Sequence, residues 1–255
     1  MALISALQAF PHLFSLALDY QFYDKYRTCQ VVPAIMSYIL SCPLPNLSHL
    51  VLRGMELALY VPIGSVLSSL TRLHITFFSS PFSRSNLGIP ARIPLLLLAL
   101  PNLTSLSLIL SSCHDEKLAA IDWAPARLQQ LRHLKLKDVN LSEKAIFDLV
   151  TGSAATLEKL EIHEVWLKDS SWASIYTIFQ TLLGALTNIT VAKSRKYYVD
   201  RWNGHRWVQP RYSDSDGDCF YALSVAINQR RAEKGMSAIG FPLLKSAVPR
   251  RLSRR

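Results

Sequence analysis

The chain has 255 residues, half of them hydrophobic, which is enough apolar material to bury a sizeable core and excludes disorder throughout. Its formal net charge of +10 is unevenly spread: residues 1–194 carry 15 basic against 13 acidic side chains, whereas 195–255 carry 13 against 5. Cys29, Cys42, Cys113 and Cys219 stand far apart with no C-x-x-C pair, which gives neither a disulfide framework nor a zinc site and fits a reducing intracellular setting, cytoplasmic or nuclear.

In chain order, the first ten residues are apolar but lack a basic n-region, so they do not read as a signal peptide. From Leu13 onward one short pattern recurs seven times. Clear copies are Leu47-x-x-Leu50-x-Leu52, Leu103-x-x-Leu106-x-Leu108, Leu131-x-x-Leu134-x-Leu136 and Leu157-x-x-Leu160-x-Ile162. Looser ones are Leu13/Leu16/Leu18, Leu70/Leu73/Ile75 and Leu186/Ile189/Val191. Their first leucines lie 34, 23, 33, 28, 26 and 29 residues apart. In each copy the last two apolar residues are two apart and share one face of a strand, so stacked copies bury one continuous core. The apolar series continues past the strand, as in Leu136 to Val139 and Leu141 and in Ile162 to Val165 and Leu167.

The connecting segments predict helices. One runs over Val31–Leu40, with Pro33 in its first turn. A second begins at a capping Ser142 and sets Ala145, Ile146, Leu149 and Val150 in one stripe; a third spans Ser171–Leu186 with Ile175, Ile178, Phe179, Leu182 and Leu183 together. The apolar run at 93–100 is too short for a bilayer, and no membrane span is expected.

Written as L-x-x-L-x-L-x-x-[M/V]-x-L, the stretch 10–192 resembles the leucine-rich-repeat family. The irregular repeat lengths and the L-P-N-L lead-in at Leu44–Leu47 and Leu100–Leu103 are most similar to the repeat region of fungal F-box/leucine-rich-repeat proteins. The resemblance implies an α/β solenoid of about seven irregular repeats, with a curved parallel sheet on the concave side and helices on the convex side. It also implies the part of a ubiquitin ligase adaptor that holds the substrate; no F-box is read before Leu13, so docking on a ligase does not carry over. The ninth repeat position, where the family places Asn or Cys to bond the backbone at the bend, here holds Met55, Phe78, Ser111, Val139 or Val165. Bends held by packing are therefore expected.

With the leucines inward, the third, fifth and seventh positions of each copy face a partner. The middle of that stack is basic and histidine-rich: His49, Arg53, Arg72, His74, His133, Lys135, Lys137, Lys159 and His163. It suits an acidic or phosphorylated protein segment, although exposed Lys and Arg on strands also occur as a merely solvated face. His49 and His74, on neighbouring strands, are placed to approach each other, but no Cys, Asp or Glu in the same register completes a metal set with His133, and no metal or cofactor is expected.

Beyond the repeats, 195–248 reads as a C-terminal cap and helix, and 249–255 as a disordered basic tail. Arg201, Trp202, Arg206 and Trp207 interleave positive charge with aromatic rings; they serve either to cover the exposed end of the stack or to bind nucleic acid. Asp214–Asp218 approaches a calcium loop, but Val225 stands where a bidentate Glu belongs, so it reads as a polar turn capping a helix over Cys219–Lys234 that stops at Gly235. Of four N-x-[S/T] sequons, at Asn46, Asn102, Asn140 and Asn188, three are expected at one repeat position just before a strand, which explains them without glycans. No nucleophile elbow, phosphate loop or H-E-x-x-H is present. The expectation is a monomeric, non-catalytic recognition module for a protein, with nucleic-acid association through the tail as the alternative.

Overall fold

A computed structural model of the chain describes residues 10, 12–19, 46–53, 68–78, 93, 96–111, 128–167, 171–192, 195–196 and 214–241. The expected helix over Val31–Leu40 and the tail residues Arg201, Trp202, Arg206 and Trp207 lie outside them.

All seven copies of the repeat form strands. These are β1 (Ser15–Asp19), β2 (His49–Arg53), β3 (Arg72–Phe78), β4 (Ser105–Ser111), β5 (His133–Lys137), β7 (Lys159–His163) and β9 (Asn188–Ala192), each starting at the third position of its copy. They pair in parallel and in chain order, and equivalent positions stay in register: Leu16, Leu50, Leu73, Leu106, Leu134, Leu160 and Ile189 make one row. A one-residue slip would turn every leucine out of the core, which is why spacings between 23 and 34 residues leave the register untouched. The result is a solenoid-like α/β arrangement.

Three two-residue strands, β6 (Asn140–Leu141), β8 (Trp166–Leu167) and β10 (Arg195–Lys196), make a second parallel sheet in the order β10-β8-β6. Asp138 and Glu164 lead into β6 and β8 with φ of 55° and 54°, a left-handed conformation that turns the chain sharply after β5 and β7. Each of these residues donates its backbone N–H across to the next repeat, Asp138 to the His163 carbonyl at 3.0 Å and Glu164 to the Ala192 carbonyl at 2.8 Å. The neighbouring Val139 and Val165 are buried, so both packing and cross-repeat backbone bonds hold the bends.

The leucine face packs against α1 (Glu143–Thr151) and α2 (Trp172–Leu182) in a single core. Each helix starts as its sequence predicts: Ser142 Oγ accepts from Ala145 N at 3.1 Å, and Ser171 Oγ from Ser174 N at 3.2 Å. The second ends four residues before the expected Leu186. Leu183 leaves helical geometry, and the turn at Gly184–Ala185 lets both Leu183 and Leu186 enter the core ahead of β9. A fully buried side chain of this size contributes roughly 1.5–3 kcal/mol, more than the lost helical bonds.

The strands are also joined at their starts by a row of carbonyls. Phe14, Ser48, Thr71, Thr104, Arg132 and Glu158 each accept two backbone N–H groups from the following repeat. The hydroxyls of Ser48, Thr71, Thr104 and Thr187, all at the second repeat position, donate to the same row at 3.0–3.3 Å. Where that position holds Arg132 and Glu158 instead, the two side chains pair with each other at 3.3 Å.

The third helix, α3 (Asp214–Glu233), corrects the expectation of a polar turn at Asp214–Asp218, because that stretch is already helical. It stops as expected at Gly235, whose φ is +68°; Met236 N donates to the Arg231 carbonyl and Gly235 N to the Ala232 carbonyl, a Schellman closure. Phe220, Leu223 and Ile227 are buried, and the Phe220 ring lies 5.1 Å from that of Tyr176 on α2. The sequons are corrected too. Only Asn46 and Asn102 precede strands, whereas Asn140 lies in β6 and Asn188 opens β9. The Asn102 amide donates to the Ser68 carbonyl at 2.8 Å, a bond between repeats.

Candidate functional site

The face of the large sheet opposite the leucines forms three columns. The first runs Ser15, His49, Arg72, Ser105, His133, Lys159, Asn188; the second Ala17, Val51, His74, Ser107, Lys135, Glu161, Thr190; the third Asp19, Arg53, Thr76, Ile109, Lys137, His163, Ala192. All nine residues predicted for partner binding on the sheet stand in these columns. Parallel strands at about 4.8 Å set their spacing across the face, and alternate residues about 6.6 Å apart set it along each strand.

The register sets the two histidines expected to approach each other on a diagonal. His49 sits opposite Arg72 and His74 opposite Val51, so the two are diagonal neighbours. Ser15 Oγ lies 3.4 Å from His49 Nδ1, and His74 Nε2 lies 3.0 Å from Thr76 Oγ1. Burial holds the His74 imidazole below its ordinary range, and the positive charges of Arg53 and Lys135 and the His49 ring act in the same direction. His74 is therefore a neutral ring at neutral pH and adds no charge to the face. Among the described residues no group of three or more His, Cys, Asp or Glu is placed to hold a metal ion.

Glu161 organises the other side of the face. Its carboxylate lies 2.7 Å from Lys159 Nζ, 3.3 Å from Lys135 Nζ and 3.7 Å from His163 Nε2. Partial burial pushes its pKa up, but hydrogen bonds from Lys159 and Lys135, with their charges, outweigh that and hold it below the usual carboxylate range. Lys135 and Lys159 thus share one acid. Lys137 and Arg72 have no acidic partner among the described residues. The charge open to a ligand lies mainly on Arg72 and Lys137, on the strands flanking β4.

At the end of the stack, α3 packs beside α2. Asp216 Oδ1 accepts the backbone N–H of Ala173 at 2.7 Å, in the first turn of α2. Arg230 Nη2 donates to the Gln180 carbonyl in the last turn of α2 at 2.8 Å, and Arg231 Nη1 donates to the Thr187 carbonyl at 3.2 Å. The two helices lie side by side in the same sense, an acid at the positive end of α2 and a guanidinium at its negative end. No spacing rule flags these pairs, which are 43, 50 and 44 residues apart.

The sequence matches no protein-family model and no curated protein. No helix among the described residues is long and apolar enough to cross a membrane.

Proposed function

We propose that the chain is a leucine-rich-repeat solenoid acting as a non-catalytic recognition module, which holds an acidic or phosphorylated protein segment on the open face of its large sheet. The observation that carries this reading is the pair of cationic strands, β3 with Arg72 and β5 with Lys135 and Lys137, held at fixed spacing by inward leucines and isoleucine that are buried on the other face. Rigid backbone beneath the charges lowers the ordering cost of binding, and complementary charge adds association rate and specificity. The resemblance to fungal F-box/leucine-rich-repeat proteins extends the proposal to the substrate-holding part of a ubiquitin ligase adaptor.

Affinity capture with the wild-type chain and with Arg72→Glu, Lys135→Glu and Lys137→Glu combined tests it. Protein partners retained by the wild type are lost from the triple variant; retention of the same partners by the variant sinks the reading. A ligase adaptor among the partners supports the extension.

A further inference from the structure

Strand β4 is the low line of the open face. Its residues there, Ser105, Ser107 and Ile109, are shorter than most of their row neighbours: Arg72, Ser105 and His133 make one row, His74, Ser107 and Lys135 the next, and Thr76, Ile109 and Lys137 the third. The side chains of β3 and β5 consequently rise about 10 Å apart over a floor one strand wide. At the centre of that floor Ser107 Oγ is buried and has no hydrogen-bond partner. A buried hydroxyl without an acceptor is a standing cost that a ligand oxygen would remove.

Resting on the reading above, we infer that this floor is a groove for an extended peptide segment with carboxylates at every second residue, lying along β4 between the Arg72–His74 bank and the His133–Lys135–Lys137 bank. Lys135 and Lys137 are two residues apart on one face, about 6.6 Å along the strand, the same period at which an extended peptide repeats its own side chains. A carboxylate that parts the His74 and Lys135 side chains over Ser107 gives its buried hydroxyl the acceptor it lacks, and Lys137, with no acidic partner among the described residues, takes the next. One feature favours a peptide over single-stranded nucleic acid: no Phe, Tyr or Trp stands in the three columns to stack on a base.

The test is fluorescence anisotropy on the full chain with two labelled nonapeptides of identical composition, one with Asp at alternate positions and one with the Asp residues contiguous. The alternating peptide binds about tenfold tighter. Ser107→Leu and Ser105→Leu each raise the floor without changing its charge, and both bring the alternating peptide down to the level of its isomer while circular dichroism stays unchanged. Equal binding of the two peptides by the wild type overturns the groove, as does a preference that survives in both leucine variants or tighter binding of an oligothymidylate of equal charge. Peptide binding that ignores spacing but disappears on charge reversal at Arg72, Lys135 and Lys137 refutes the groove and leaves the proposed function standing.

Discussion

Asp216 and Ala173 lie 43 residues apart in the chain, yet the carboxylate of the first caps the helix that contains the second, at 2.7 Å. Ser171, the local cap, satisfies only the N–H of Ser174, so the start of α2 depends on α3 for another of its exposed donors. Asp216 is itself buried. Asp216→Ala is expected to lower the unfolding free energy by about 1.5–3 kcal/mol, the range for a hydrogen bond to a charged group. Asp216→Asn keeps an acceptor and loses less. Urea denaturation followed by circular dichroism measures both, and an alanine variant as stable as the wild type would contradict the clamp.

Glu161 restrains the lysines that flank it. Glu161→Gln removes the negative charge from the face and frees Lys135 and Lys159, so affinity for an acidic segment is expected to rise about fivefold, close to 1 kcal/mol. The same change carries a pH signature. Because the folded-state carboxyl titrates below its unfolded value, its contribution to stability is complete above the unfolded range and is lost as pH falls through the lower, folded value. The stability gap between the wild type and Glu161→Gln is therefore constant near neutrality and closes in acid, where denaturation curves at a series of pH values will show it.

His74 acts in the same pH sense, in a higher window. Its ring is held neutral in the fold, so as pH drops below 6.5 the unfolded chain takes up a proton that the folded chain refuses. Stability falls across that window and levels off once the folded ring is also protonated. His74→Gln, which cannot titrate, flattens the profile between pH 7 and pH 5. A variant profile parallel to that of the wild type over this interval would remove His74 as the cause.

The row of hydroxyls at the strand starts yields a further expectation. Thr104→Val deletes a donor to the Thr71 carbonyl while leaving its backbone bonds, and should cost about 0.5–1.5 kcal/mol in thermal or urea unfolding. The exposed Arg132–Glu158 pair interrupts that row and contributes at most about 1 kcal/mol. Replacing both by Thr restores the hydroxyl at each place, so the double variant is expected to match the wild type or exceed it. A loss larger than the Thr104→Val effect would show that the ion pair holds the repeats together in its own right.

Leucine spacing made the seven strands and their faces legible, because a period of two on a strand that must bury one side leaves a single register. The nine sheet residues of the candidate site were legible for the same reason, since they are the positions that alternate with the leucines. What the spacing could not reveal depends on contacts between repeats. The diagonal placement of His49 and His74 follows from β2–β3 pairing, and the sharing of Glu161 between Lys135 and Lys159 follows from side chains leaning across and along the strands. The family carries its polar ladder at the ninth position, which here is mostly apolar, so bends held by packing were expected. In this chain a ladder stands at the second position, in Ser48, Thr71, Thr104 and Thr187, which the leucine spacing does not mark. Asp138 and Glu164 at the bends gave no glycine to signal a left-handed turn.

In the carbonyl row every donor comes from the repeat that follows, so the row has a direction, and the Thr187 carbonyl is its last member, taken by Arg231. The guanidinium of Arg231 thus stands where the amides of an eighth strand would stand. The leucine pattern ends with the seventh copy, and an arginine occupies the carbonyl it leaves open. Duplication of an internal repeat lengthens the stack and leaves this closure intact, whereas a copy added after β9 must first evict Arg231 and the helix that carries it.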